Sequence, residues 1–395
     1  MNPTRMRIVQ TVFGVFHHFE LARELEHRSH LQTIYSTWPW TRLKREGLPR
    51  HRVRTFPSIH MAEMALNRSP LRNDWLSDEL GYLNALAFDE WTSRQLAKAE
   101  PQPDALIGIS GSSLKTGREL QRRGGIFVCD RGSSHQRFQQ TILGEEYRRW
   151  GLAKRVSDPR DTAREEELYA MADAITVPSS FSARSFAEMG VPSSKVHLIP
   201  YGVMLDRFHR TTPQPEISER FEVVFAGQVS IRKGVPYLLE AFARLEHPDK
   251  RLRLMGPLEP ELKSILHRFP AASVEFVGPV SQEVLASVMG SSHVLVLPSI
   301  EDGFGLVMGQ AMACGCPVIA STNTGGSDLL THEAEGYIVP IRDADAIRTR
   351  LQALIDTPGL HQSLSTAALA RVQQLGGWTH YGDGWETLLH RLTGR

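Results

Sequence analysis

Residues 293–328, HVLVLPSIEDGFGLVMGQAMACGCPVIASTNTGGSD, restrict this chain to few folds. The run HVLVLP is too short for a buried helix, is rich in branched aliphatic side chains and closes at Pro298 and Ser299, so it reads as a buried parallel strand. Glu301 and Asp302 then precede Gly303, Phe304 and Gly305, and LVMGQAMACG follows as an apolar helix that stops at Gly315. A second buried strand, PVIAS, runs into another glycine turn, Thr324 to Asp328. Strand, turn, helix and strand in this order build a doubly wound α/β sheet. A helix that starts at a strand's carboxyl end aims free N–H groups and a partial positive charge into the crevice there. Two such turns side by side make a seat for an anion and an attached polyol, and Gly303 and Gly305 let the ligand approach the backbone closely.

With 395 residues, 41% of them hydrophobic, the chain is long enough for two cores, and its start reads like the segment above. Residues 6–13 form a strand ending at Gly14, a turn carries His17 and His18, and FELARELEHR continues as a helix. The histidines read as surface residues of a loop, with a position in the cleft as the alternative. LQTIYSTWPW is a second strand, and TRLKREGLPRHRVR gathers basic residues on a solvated face, with contact to an anionic bilayer as its alternative. Residues 75–98 are helical. DALIGIS is a strand, and SGSSLKTGRELQRR is a serine and glycine turn opening a helix, a further anion seat. GIFVCD is a strand ending in Asp130-Arg131-Gly132-Ser133-Ser134-His135. After ADAITV, a helix capped near Ser180 and a strand ending at Pro200, residues 207–220 have linker composition with Pro213 and Pro215, and the hinge is placed there. The second half opens with the strand FEVVFAG, a turn at Gly227, and Arg232-Lys233-Gly234 before an amphipathic helix.

A net charge of +1 argues against a nucleic-acid partner, and three cysteines, Cys129, Cys314 and Cys316, without C-x-x-C spacing argue against a disulfide framework or a zinc site. A reducing cytoplasm fits. No apolar run approaches the ~20 residues of a membrane span, so any membrane contact is expected to be peripheral, at the inner face.

The segment Pro298-Ser299-Ile300-Glu301-Asp302-Gly303-Phe304-Gly305 resembles the donor signature of the family 4 retaining glycosyltransferases (glycosyl transferases group 1), which read Pro-Ser-x-x-Glu-Gly-Phe-Gly with a second Glu eight residues after the first. Here the two acids fall on Asp302 and Gln310. The likeness covers most of the chain, strongest over residues 172–340. It implies a GT-B fold: an acceptor-binding Rossmann-like domain over residues 1–200, a linker over 201–220, a nucleotide-sugar-binding Rossmann-like domain over 221–376, and a last helix in 377–395 crossing back to the first domain. Where relatives read Asn-Gly-Val-Asp after the proline, this chain has Tyr201-Gly202-Val203-Met204.

The resemblance also assigns roles. The family holds the donor diphosphate with an early arginine, here replaced by Gln228 beside Gly227, and a lysine, matched by Lys233. Arg232 is expected to supply the missing charge, since a guanidinium can grip phosphate in a bidentate way; solubility before a helix is the bland reading of both cations. Asp302 would hold a hydroxyl of the transferred sugar and Gln310 the ribose, with Val280 near the base. Asp130, where relatives often carry a histidine, and His135 are expected at the reaction centre, or else form a surface turn; Gly14 and His17 would lie on the acceptor side. The implied activity is retaining, metal-independent transfer from a nucleotide-diphosphate sugar to a glycan or lipid-linked acceptor in cell-surface or exopolysaccharide synthesis, with no cofactor. The alternatives are a catalytically silent fold-mate that binds a nucleotide sugar or a partner transferase, and a sugar phosphorylase on the same scaffold.

Overall fold

The computed structural model describes residues 5–67, 69, 74–203, 207–210, 214, 216–270 and 272–394. Its first sheet holds β1 (Ile8–Val12), β2 (Leu31–Ser36), β3 (Val53–Thr55), β4 (Ala105–Ile109), β5 (Ile126–Asp130), β6 (Ala174–Val177) and β7 (Val196–Leu198), in the order β3-β2-β1-β4-β5-β6-β7. The second holds β8 (Phe221–Ala226), β9 (Lys250–Met255), β10 (Val274–Gly278), β11 (Val294–Leu297), β12 (Val318–Ser321) and β13 (Gly336–Val339), in the order β10-β9-β8-β11-β12-β13. All pairings are parallel. Helices cover both faces, so central strands such as FEVVFA and VLVL are buried at every position and show no polar alternation. The strand order reverses between β1 and β4 and again between β8 and β11. The crevices of the two sheets therefore open beyond the carboxyl ends of these strands.

Each lobe also packs a helix from the other half of the sequence. The last helix, Trp378–Thr393, sends Tyr381, Trp385, Leu388 and Leu389 into the first lobe's core beside Phe19 and Leu25. In exchange, the helix Gln136–Arg149 places Leu143 and Tyr147 in the second lobe's core. Its Glu146, fully buried, accepts from the Tyr237 hydroxyl at 2.7 Å and from Arg342 Nε at 2.6 Å. The chain passes between the lobes near Gly202 and again near Gly377. A Cβ on Gly202 would lie 2.5 Å from the Gly377 carbonyl carbon, so the two crossings touch backbone to backbone.

The doubly wound, two-lobed architecture with a returning helix is the one expected. Local readings differ at two places. The basic stretch contains the edge strand β3, and three of its cations are engaged locally: Arg42 lies 3.5 Å over the Trp38 ring, Arg50 lies 5.0 Å over Trp40, and Arg52 pairs with Glu26 at 2.9 Å. The serine-rich turn after β4 is no anion seat, because Ser112 and Ser113 are buried and bonded to Thr11 on β1. Met204, Pro213 and Pro215 lie outside the described residues.

Candidate active site

A cavity of about 390 Å³ lies between the carboxyl edges of the two sheets. Ala226, Gly227 and Lys233 come to it from the segment after β8, and Asp302 and residues 304–307 from the segment after β11. Gln310 follows one turn into the helix Leu306–Ala313, and Leu285 projects from the helix Gln282–Ser291. Gly305 precedes the helix Leu306–Ala313 with a left-handed φ of 81°, so the helix starts at the cavity wall, where its leading N–H groups lack intrahelical partners and carry the positive end of the dipole. Lys233 Nζ is bonded to the Asp302 carboxylate, both side chains being about 15% exposed. Gly132 and Tyr201 close the cavity from the first lobe. A larger cavity, about 840 Å³, sits among Arg210, His247 and His293 at the amino edge of the second sheet, away from both switch points.

Beneath the cavity the lobes are joined through Glu301, which is fully buried. Its Oε1 accepts from Ser133 Oγ at 2.6 Å and from Ser134 N and Oγ at 3.1 and 2.7 Å. Its Oε2 accepts from Gln139 Nε2 at 2.8 Å and from Arg232 at 2.8–2.9 Å. Burial on its own would raise this carboxyl's pKa; the Arg232 charge and the hydroxyl and amide donors outweigh it and hold the group below the usual carboxylate range. Beside it the Gly303 carbonyl accepts from Ser179 Oγ at 2.5 Å and Ser182 Oγ at 3.2 Å, and a Cβ at Gly303 would collide with the Gly132 backbone.

On the first-lobe side, Asp130 ends β5 and is 2% exposed. One oxygen, Oδ2, lies 2.6 Å from His17 Nε2 and 3.0 Å from His18 Nε2; Oδ1 accepts from Thr176 Oγ1 at 2.8 Å. Burial opposes ionisation here as well, but the charge and N–H groups of His17 and His18 hold Asp130 ionised, below the usual range. Burial pushes His18 down, toward the neutral imidazole. His17 leans on the Tyr201 ring, with centroids 4.4 Å apart, and both abut Gly132. With its Nε2–H given to Asp130, a neutral His17 keeps the lone pair on Nδ1.

Comparison with known proteins fits this geometry. Residues 17–202 match the Glycosyl transferase 4-like domain, and residues 209–371 match Glycosyl transferases group 1. The chain belongs to the group 1 glycosyl transferases. Among its curated relatives is a D-inositol 3-phosphate glycosyltransferase of Xylanimonas cellulosilytica, 28% identical over 236 residues, which make up 54% of this chain and 55% of the relative. The chain thus spans about half the length of the curated relatives it matches. Solved structures extend the likeness of fold over the whole chain. The sucrose-phosphate synthase of Thermosynechococcus elongatus superposes with a TM-score of 0.72 at 21% identity, covering 99% of this chain and 100% of its own. Anabaena HepE in complex with UDP superposes at 0.68 and 16% identity, covering 98% and 100%.

In this chain the structure gathers Gly227, Lys233, Asp302, Phe304, Gly305 and Gln310 on the cavity wall, with Asp130 and His17 behind Gly132. Other expected residues lie elsewhere. Arg232 does not present a free charge, because Glu301 takes its guanidinium. Gly303 faces the other lobe and not a ligand. Gln228 points outward to Glu259, 3.4 Å away, and Val280 packs on the second lobe's core while Leu285 lines the cavity. His135 is turned inward as the cap of the helix Gln136–Arg149: its Nδ1 accepts from Arg137 N, and its ring packs against Tyr169 and Phe186. Gly14, at φ 76°, packs under Trp38. Nothing in the sequence announces the Glu301 tie, and of the two readings of His17 and His18 the surface loop is the one corrected: both side chains are largely buried. The adjacent histidines and the Tyr201 departure from the family pattern were the signals available.

Proposed function

We propose that this protein transfers a glycosyl group from a nucleoside-diphosphate sugar to a glycan or lipid-linked acceptor, with retention of anomeric configuration and no metal ion, in the synthesis of a cell-surface or exported polysaccharide. The reading is supported above all by the Lys233–Asp302 pair beside the N-terminus of the helix Leu306–Ala313, in a cavity that both lobes close. In the reaction the bond between the anomeric carbon and the phosphate oxygen breaks, and the acceptor oxygen bonds to that carbon. The acceptor proton passes to the departing diphosphate on the same face. Negative charge grows on that diphosphate, where Lys233 and the helix N–H groups supply fixed positive charge in a half-buried site. Asp302, released from the lysine, accepts a hydroxyl of the sugar, and Gln310 meets the ribose hydroxyls as both donor and acceptor.

A second reading, a silent nucleotide-sugar binder, draws on Gln310 at the motif's second acid and on Lys233 being already paired. Turnover of a panel of UDP-, GDP- and ADP-sugars separates the two; HepE's complex with UDP makes the uridine donors the first to try. The expected outcome is nucleoside diphosphate release that falls about 10²–10³-fold in Lys233→Ala, the usual cost of losing one such donor. Retention of configuration is read from the product's anomeric proton coupling. Tight donor binding without turnover of any donor, acceptors present, would favour the silent reading.

A further inference from the structure

Behind the turn that carries Asp130, the first lobe holds a second cavity, about 380 Å³ in volume. Phe13, Ser110 and Gly111 line it just past the carboxyl ends of β1 and β4, the edge at which such a sheet takes its ligands. One turn connects it to the cavity between the lobes, which Gly132 lines. Arg131, between Asp130 and Gly132, donates to Ser110 Oγ at 3.1 Å, Glu165 at 3.0 Å and Gln136 Oε1 at 2.8 Å, and all three of these residues line the second cavity.

The polar groups facing this space are mostly satisfied; of the buried side-chain atoms left without a partner among the described residues, Asn84 Oδ1 accepts only and His60 Nε2 can donate or accept. Glu165 pairs with Arg131, Arg164 with Asp89, and Glu63 takes an N–H from Asn84 at 3.3 Å. Asp161 has no ion pair among the described residues, and burial, together with Asp158 and Glu165, pushes its carboxyl up to about 6. Asn84 is 4% exposed, and its Oδ1 has no hydrogen-bond partner among the described residues. A buried amide oxygen without a donor is costly to leave empty-handed. A carboxylate and a carbonyl oxygen ask for O–H or N–H groups, while the acids around them repel a phosphate or carboxylate.

We infer that this cavity seats the acceptor, and that the acceptor offers it an uncharged or amino sugar rather than a phosphorylated or acidic one. The inference rests on the proposed glycosyl transfer and narrows its acceptor class. It sets this chain apart from the Xylanimonas relative, whose name specifies an inositol phosphate. Helix position alone would also place an acid at Asp161, the third residue of the helix that Asp158 caps, so the test needs a readout that helix stability does not move.

Saturation-transfer NMR on the full chain, with methyl glucoside, methyl glucosaminide and glucose 6-phosphate as probes, supplies it. We expect signals from the first two probes and at least ~10-fold weaker binding of the third, the discrimination that one charged hydrogen bond brings. In Asp161→Asn, binding of the first two falls about 10-fold while the phosphorylated probe gains. A loss confined to the glucosaminide marks an ammonium as the partner; equal losses mark hydroxyls. Binding of UDP, GDP and ADP in the same samples is unchanged by Asp161→Asn and lost in Lys233→Ala, so a failure at the acceptor is distinct from a failure of the transferase reading. Preference for glucose 6-phosphate, no binding of either uncharged or amino probe, or probe affinities unmoved in Asp161→Asn overturns the inference.

Discussion

At the carboxyl edge of the second sheet, the turns after β8 and β11 bring backbone and one lysine to a cavity; at the same edge of the first sheet, most turn side chains are bonded to each other. Gly227, Gly305 and Lys233 line the donor cavity with little in front of them except Asp302. Across from them Thr11 holds Ser112 and Ser113, and Asp130 holds His17, His18 and Thr176. One scaffold therefore serves two ends. On the proposed function, the second lobe keeps N–H groups and positive charge for the donor's diphosphate, and the first lobe's acceptor-rich wall selects what is brought to it.

Glu301 joins the two walls, and its loss should have the largest effect. Removing one partner of a buried ion pair strands the other, at a cost of about 3–5 kcal/mol. Arg232 keeps 31% side-chain exposure, so the lower end is expected for Glu301→Ala. Denaturant unfolding at pH 7 checks it. Because the folded-state pKa of Glu301 is depressed, its contribution is complete above the unfolded carboxylate value of about 4.3 and fades as pH falls below it. The gap between parent and variant should therefore close in acid. A variant as stable as the parent at pH 7 would mean that the other contacts between the lobes, among them Glu146, the Gly303 carbonyl and the returning helix, hold them without it.

The contrast between the walls also explains what the sequence discloses. The donor side is written in contiguous residues: a buried run, a glycine turn and a helix each follow from local pattern, so Lys233, Asp302 and Gly305 were placed without knowing what they touch. Where a role depends on a distant partner, pattern fails. Arg232 is expected at the phosphate from its place before the helix, and nothing local shows that Glu301, 69 positions away, pairs with its guanidinium. His17 reads as a loop histidine until β5 brings Asp130 beside it, 113 positions on. The helix Gln136–Arg149 belongs to the first half of the sequence, yet no periodicity says that Leu143 and Tyr147 pack in the second core. The three-residue strand β3 carries too few apolar residues among its arginines to announce itself.

Asp130→Asn tests whether the first-lobe wall is scaffold or part of the reaction. The amide keeps the shape but offers one acceptor oxygen in place of a charged pair, so His17 and His18 lose a shared charged acceptor. A cost of ~1–3 kcal/mol in stability is expected. If His17 Nδ1 meets a substrate hydroxyl, the variant also lowers transfer about 10-fold at saturating donor, because the tautomer with its lone pair on Nδ1 is no longer enforced. A stability loss with full turnover assigns the cluster to structure alone, and the comparison between the lobes becomes one of a working wall and a passive one.

Gln310→Glu makes the smallest change and asks how far the donor side has drifted from its family pattern. Gln310 lines the cavity one turn into the helix Leu306–Ala313, where, on the proposed function, an amide would give the ribose one acceptor and one donor without charge. A carboxylate there accepts from two hydroxyls with charge assistance, which raises the worth of each bond from about 1 to about 2 kcal/mol. The same negative charge stands near the helix N-terminus that serves the diphosphate, and Asp302 already sets a carboxylate in the cavity. Repulsion therefore takes back part of the gain. The expected net effect is a donor dissociation constant lowered about 3- to 5-fold, measured by calorimetry with nucleoside diphosphate, and turnover changed less. Weaker binding in the glutamate variant would mean that the glutamine is tuned to this site: the charge would be competing with the leaving group for the helix's positive end, and the donor wall would then owe its balance to having only one carboxylate, Asp302, facing the ligand.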